Sequence, residues 1–302
     1  FVPGPQQRLF SLIENFAYDS YFDHRQPRDI SDFVIIAVDE ESLKPQRLGR
    51  FPWDRAVYAR LLERLGGAKV VGIDLLFPEP SADDAVLAAA IRRHGRVVLA
   101  AHKRRVARGT ELPLTWHGYG QATTPGLPRA YSDARLTDEF VPPVPVLAQA
   151  AAGMGYVDIV PDADGVYRRA MPLMASPADD VMPHFGLEIA RLALGLDRAQ
   201  LMHSAASGAL AVRNATLPLA GGEMLINYAG PLQTVKYVPA WRVVAGQEPA
   251  EKFRDKIVLI GPTAAGLSRR AKMRPTSRKT TPAPNAMAAC MSQKRLAGIF
   301  SS

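Results

Sequence analysis

The chain has one cysteine, Cys290. A lone thiol excludes an internal disulfide framework and any multi-cysteine metal site. It leaves an extracytoplasmic home open. Long apolar runs are missing too. No stretch reaches about 18 uninterrupted apolar residues, so nothing in the sequence reads as a membrane-spanning helix. No initiator Met and no signal-peptide pattern open the chain. Starting at Phe1, it reads as a fragment whose membrane segments would lie on either side. The six histidines (24, 94, 102, 117, 184 and 203) are scattered, and no pair has the i, i+4 spacing of a zinc helix. There is no Gly-x-Ser-x-Gly elbow to support a hydrolase triad. No Gly-x-Gly-x-x-Gly follows the first strand, which argues against a dinucleotide cofactor. The sequence names no cofactor.

Acidic residues are absent from one region. Residues 268–302 carry eight Lys/Arg and no Asp or Glu, while the whole chain has a net charge of +8. The remainder is therefore nearly neutral. Such a basic end can meet anionic lipid headgroups or nucleic acid. It lacks the interleaved aromatics that stack on single strands, and no nucleic-acid partner is expected.

What is present is a repeating α/β pattern. Hydrophobic residues make up 47% of the chain, enough for a sizeable core. Residues 5–25 show helical spacing through Leu9, Phe10, Leu12, Ile13, Phe16 and Ala17. Phe33–Val38 is a continuous apolar run, as a strand buried on both faces requires. Asp54 then opens a helix with Val57, Leu61, Leu62 and Leu65 as its buried stripe, closed by Gly66-Gly67. A strand over 69–73, a helix over 83–93 and a strand over 97–100 follow. This β-α-β-α-β order predicts an α/β fold: a mostly parallel central sheet with helices on both faces. Residues 103–143 read as an irregular insertion. Beyond it come a helix at 144–152, strands at 154–160 and 166–174, and an amphipathic helix at 184–194. A hairpin within 205–219 and strands at 224–227 and 256–260 complete the pattern.

Parallel sheets bind ligands outside the C-terminal ends of their strands. Asp39 and Asp74 each sit one residue past such a strand. If those strands are neighbours, the two carboxylates face one crevice. They could then hold a cation, or one could raise the pKa of the other for acid/base work. Pairing with Arg50 or Arg55 is the plainer alternative. Gly261-Pro262-Thr263-Ala264-Ala265-Gly266-Leu267-Ser268 has the glycine spacing of a phosphate loop, but Leu267 stands where the Lys belongs. It reads as a tight turn after a strand. Asp162-Ala163-Asp164-Gly165 resembles a metal loop, yet no twelfth-position Glu follows. It reads as an Asp-Gly turn with Arg168 and Arg169 beyond it.

Several segments, in order, resemble one family. They are Val38-Asp39-Glu40-Glu41-Ser42-Leu43, Gly49-Arg50-Phe51-Pro52-Trp53-Asp54-Arg55, and the stretch from Val71 to Pro80 with Asp83-Asp84 after it. Gly155-Tyr156-Val157, Pro161 to Arg169, Ile226-Asn227-Tyr228-Ala229-Gly230-Pro231 and Lys256 to Gly261 continue the set. Together they are similar to the CHASE sensor domain of the second type. The likeness runs over roughly residues 10–290. It implies an extracytoplasmic ligand-sensing region of a bacterial transmembrane receptor, on the periplasmic or extracellular side of the inner membrane. The output would be a cytoplasmic cyclase or kinase. Residues 1–30 would be a juxtamembrane amphipathic helix suited to a homodimer, 31–267 the sensor domain, and 268–302 a membrane-proximal tail. After Gly261 the family's Asp-bearing loop and Pro-Gly-Val-Glu-x-His-Ala-Asn segment are replaced by Ser268-Arg269-Arg270 and by Pro284 to Cys290. On this reading the segment is no enzyme. Its pocket, for a small molecule or ion, has Asp39 and Asp74 as the floor and Arg50, Trp53 and Arg55 as the rim. Asn227 and Tyr228 are added contributors. The alternative is a metal-assisted or acid/base enzyme using Asp39 and Asp74.

Overall fold

The computed structural model describes residues 5–107, 135–176, 181–231, 234–264 and 267. The chain opens with α1 (Pro5–His24) and enters β1 (Phe33–Val38), every residue of which is buried. α2 (Arg55–Arg64), β2 (Val70–Ile73), α3 (Asp84–His94) and β3 (Val97–Ala107) follow. Asp54 occupies the N-cap of α2 with extended backbone, though its side chain makes no cap hydrogen bond. α3 ends at Gly95 in the left-handed conformation (φ 75°), which glycine adopts without a Cβ penalty.

Seven strands build the main sheet. β12 (Lys236–Pro239), β1, β13 (Ile257–Pro262), β2, β3 and β5 (Gly153–Tyr156) pair in parallel, in that order. β4 (Leu136–Val141) joins the far half of β3 antiparallel, from His102 facing Val141 to Ala107 facing Leu136. The insertion expected over 103–143 is thus regular at its flanks. Its two flanks form one ladder, because β3 runs on past the point where its apolar run ends. Residues 108–134 lie outside the described residues, as does the basic tail with Cys290.

Side chains alternate across the sheet as the pleat demands. Val34, Ile36, Val38, Val71, Ile73, Val258 and Ile260 face α2, α3, α4 (Pro145–Ala150) and α7 (Ala240–Val244). Phe33, Ile35, Val70, Val98, Ile257 and Leu259 face α5 (Phe185–Leu194). Helices thus cover both faces. α5 seats tightly because two strands are bare beneath it. A Cβ on Gly72 would lie 2.4 Å from Ile189 Cδ1, and one on Gly155 would lie 2.6 Å from the Phe185 backbone N.

Residues 157–230 form an outer unit with its own core. Short strands β6 (Arg169–Ala170) and β11 (Met224–Leu225) pair, as do β7 (Leu173–Ala175) and β8 (Val181–Pro183). α6 (Arg198–Ala206) leads into a hairpin of β9 (Ala209–Val212) and β10 (Ala215–Pro218). Leu173, Val181, Leu201, Leu210, Val212, Leu217 and Ile226 fill this core. α5 contributes Leu187, Ala190 and Leu194 to it while Phe185, Ile189 and Ala193 pack on the sheet. The single strand expected over 166–174 is two, because Pro172 interrupts it. The carbonyl of Pro172 instead accepts the His184 N–H at 2.8 Å.

Candidate functional site

Asp39 and Asp74 do follow the C-terminal ends of parallel strands, but β13 lies between those strands. Two strand spacings, about 10 Å, separate β1 from β2, and the register sets Asp74 further back along the sheet than Asp39. The expectation of a neighbouring pair is corrected on that ground. At such a distance the two do not share a proton as a coupled dyad does. Among the described residues, no three or more His, Cys, Asp or Glu gather as metal ligands.

Each acid has its own surroundings. Asp39 Oδ1 accepts the Ser42 N–H at 2.9 Å, and its carbonyl accepts the Leu43 N–H. This closes the turn after β1, and among the described residues the second carboxylate oxygen accepts no hydrogen bond. The Asp74 N–H donates to Ile260 O at 2.8 Å, extending the ladder by one bond. Its carboxyl has no hydrogen-bond partner among the described residues, and burial pushes its pKa up to about 7.

The arginines and the tryptophan of the expected rim have other tasks. Trp53 is 4% exposed, donates its indole N–H to Gly49 O at 2.9 Å, and packs between Phe51 and Tyr58. It fastens the loop before α2 to the core. Arg55 joins α2 to α3 through Asp84 Oδ1 at 3.0 Å and Glu79 O at 3.1 Å, over the Phe77 ring. Arg50 is exposed on the turn before Phe51.

Asn227 and Tyr228 belong to a different place. Asn227 Oδ1 accepts from Arg25 Nη1 at 2.5 Å, and Tyr228 O accepts from Arg25 Nη2. The Tyr228 hydroxyl donates to Tyr167 O. The neighbouring Ala229 O accepts the Arg28 N–H at 2.8 Å, just before β1 begins. These contacts gather at the N-terminal end of β1, with the length of a strand between them and Asp39.

The same joint holds the residue that sequence reasoning undervalued. Arg168 is 1% exposed. Its guanidinium donates to Asp19 of α1 and to Asp162 and Asp164 of the Asp-Gly loop, at 2.8–3.0 Å. Asp162 also receives Arg169. The loop that looked metal-binding therefore encloses an internal cation, and Gly165 turns it at φ 81°. Tyr18 adds a hydrogen bond to Ile226 O, and Phe22 stands edge-on to Tyr228. α1 is thereby locked to the outer unit on one side. Its other side leaves Leu12, Ile13 and Phe16 exposed by 66%, 56% and 68%.

Trp241 and Thr263 were missed altogether at the strand ends. Trp241 is the second residue of α7, which follows β12, and Thr263 is the first residue past β13; each carries a buried polar atom with no partner among the described residues. The sequence offered only Gly261-Pro262-Thr263 after a strand, a pattern weighed as a phosphate loop.

The family model of the CHASE2 domain matches residues 1–297. No curated protein and no solved structure matches the chain.

Proposed function

The chain belongs to the CHASE2 domain family, a family of extracellular sensory domains, and from that premise we propose how it senses. A small molecule or ion binds at the C-terminal edge of the parallel sheet, around Asp39 and Asp74. The chain itself catalyses nothing. It acts as the extracytoplasmic part of a bacterial transmembrane receptor and regulates a cytoplasmic cyclase or kinase. Two copies pair through the exposed Leu12, Ile13 and Phe16 face of α1, and the basic end lies near the membrane.

The observation that carries the site is the carboxyl of Asp74, which has no hydrogen-bond partner among the described residues at the edge where parallel sheets take ligands. A sensor must also pass binding on as a change of shape. α1 suits that task because only residues 25–32 separate it from β1, the strand that Asp39 follows.

A thermal-shift screen of ions and metabolites on the purified chain tests the reading. A stabilising compound is expected, and Asp39→Ala should abolish its effect while the variant still folds. A compound that stabilises wild type and Asp39→Ala equally would place the ligand elsewhere. Turnover of a substrate lost in Asp39→Ala or Asp74→Ala would overturn the non-catalytic reading.

A further inference from the structure

The three strand ends around Asp39 hold more hydrogen-bonding capacity than the fold uses. Ala37 faces Pro239 on β12, and Val38 faces Pro262 on β13. Beyond these pairs α7 begins, and its second residue, Trp241, meets the turn after Asp39, while Thr263 meets the end of β1. Hydrogen bonds fix both. The Trp241 N–H donates to Ser42 Oγ at 3.2 Å, and the Ser42 N–H donates to Asp39. The N–H groups of Thr263 and Ala264 both donate to Val38 O at 3.1 Å. Arg47 lies over the Trp241 ring, 3.6 Å from its centre, and steadies the indole.

Trp241 Nε1 and Thr263 Oγ1 are nonetheless buried without partners among the described residues. Buried polar groups are ordinarily paired, and leaving two unpaired costs stability. Their backbones are tied to the Asp39 turn, Trp241 through Ser42 and Thr263 through Val38, and among the described residues one Asp39 oxygen accepts no hydrogen bond. Asp74 borders the same ends across Gly261, which has no side chain to intervene.

The chemistry of this set is selective. An indole N–H only donates, a carboxylate only accepts, and a threonine hydroxyl does both. A divalent cation or an ammonium has no use for the indole N–H. An anion would be repelled by Asp39 and Asp74. A hydroxyl group both donates and accepts, and several on one small frame match all the positions. We propose that these strand ends bind a small neutral polyhydroxylated molecule, a monosaccharide or polyol. Its hydroxyls accept from Trp241 Nε1, donate to the second oxygen of Asp39, and exchange hydrogen bonds with Thr263 Oγ1. This rests on the strand-end reading of the sensing site.

Isothermal titration calorimetry on the whole chain tests it, with glucose, myo-inositol and mannitol as probes. Calcium chloride and ethanolamine represent the rival chemistries. Trp241→Phe and Thr263→Val each remove a polar atom and keep most of the shape. At least one polyol should bind saturably, and each variant should weaken it about tenfold or more. The unliganded melting temperatures should stay level or rise, since each variant deletes a buried group that had no partner. A merely structural role predicts falling melting temperatures instead. Failure of all three polyols, or binding undiminished in both variants, overturns the proposal. If calcium or ethanolamine binds instead and Asp39→Ala abolishes it, the polyol assignment falls and strand-end sensing stands. If polyol binding ignores Asp39→Ala as well, both fall.

Discussion

Arg168→Ala should be the most damaging single change in the outer unit. The guanidinium makes five hydrogen bonds to three carboxylates. The partners differ in exposure: the side chains of Asp19 and Asp162 are 12% and 16% exposed, that of Asp164 is 52%. Removing one member of a shielded ion pair costs about 3–5 kcal/mol, because the remaining charge is left buried and alone. Asp164 adds little, since exposed pairs contribute about 1 kcal/mol or less. Truncating the arginine strands Asp19 and Asp162 together, so a loss of about 4 kcal/mol is expected. Asp19→Ala leaves Arg168 two partners and should cost about 2 kcal/mol. Asp164→Ala should cost under about 1 kcal/mol. Urea denaturation followed by circular dichroism gives the global values, and hydrogen exchange of the α1 amides reports local release. In Asp19→Ala, exchange should rise in α1 ahead of the sheet. If Arg168→Ala costs under about 1 kcal/mol, or Asp164→Ala costs as much as Asp19→Ala, the burial argument for this cluster is wrong.

Other perturbations have equally definite outcomes. Gly155→Ala drives a Cβ to within 2.6 Å of the Phe185 backbone and should cost about 3 kcal/mol. Gly72→Ala meets only side-chain ends, those of Ile189, Leu259 and Phe185, and should cost nearer 1 kcal/mol; thermal melts that rank the two alike would refute the distinction. His184 is pushed down to about 4 from 6.5 by burial, so the unfolded chain takes its proton first. Stability from this group falls by up to about 3 kcal/mol as pH drops from 6.5 to 4. Asp74 acts in the opposite sense: folded, it keeps its proton to about 7, whereas its ordinary value is 3.8. Its contribution falls by up to about 4 kcal/mol as pH rises through that window, so Asp74→Asn should raise the melting temperature at pH 8. An unchanged midpoint there would show that Asp74 is not buried as described. Leu12→Ser with Phe16→Ser should shift sedimentation from dimer to monomer while changing stability by about 0.5 kcal/mol or less per site. A wild type that sediments as a monomer at high concentration would remove α1 as a pairing face.

The first half of the sheet was legible because its signals are local. An unbroken Phe33–Val38, a leucine stripe from Val57 to Leu65 and a glycine after each helix suffice to read β1, α2, β2, α3 and β3. β12 was not legible. Lys236-Tyr237-Val238-Pro239 has one buried residue among four and becomes a strand only through its register with β1. α6 lacks a clear apolar face, burying only Leu201 and Ala205. β13 was seen as a strand, but its place between β1 and β2 is set by residues roughly two hundred positions downstream of them. That placement separates Asp39 from Asp74 and brings Thr263 beside Asp39. No local pattern encodes either result. Arg168 was hidden for a related reason. The loop Asp162–Gly165 shows its carboxylates in sequence, while the third, Asp19, arrives from α1.

The two clusters that sequence reasoning merged are the two ends of one mechanical unit. β1 and β12 pair over four residues, Val34–Ala37 with Lys236–Pro239. Asp39 follows the C-terminal end of β1, and α7, with Trp241 as its second residue, follows that of β12. At their N-terminal ends the chain passes through Arg28 and Ala229, which are hydrogen-bonded to each other beside α1. A strand of six residues spans about 20 Å and is stiff over that length. A ligand bridging Asp39 and Trp241 would favour one spacing of the two strands, and it can shift the equilibrium only by its preference for that spacing. The same displacement reaches Arg25, Asn227 and Tyr228, where α1 is held. The position of Asn227 and Tyr228, far from the strand ends, is therefore where a signal from those ends would have to arrive.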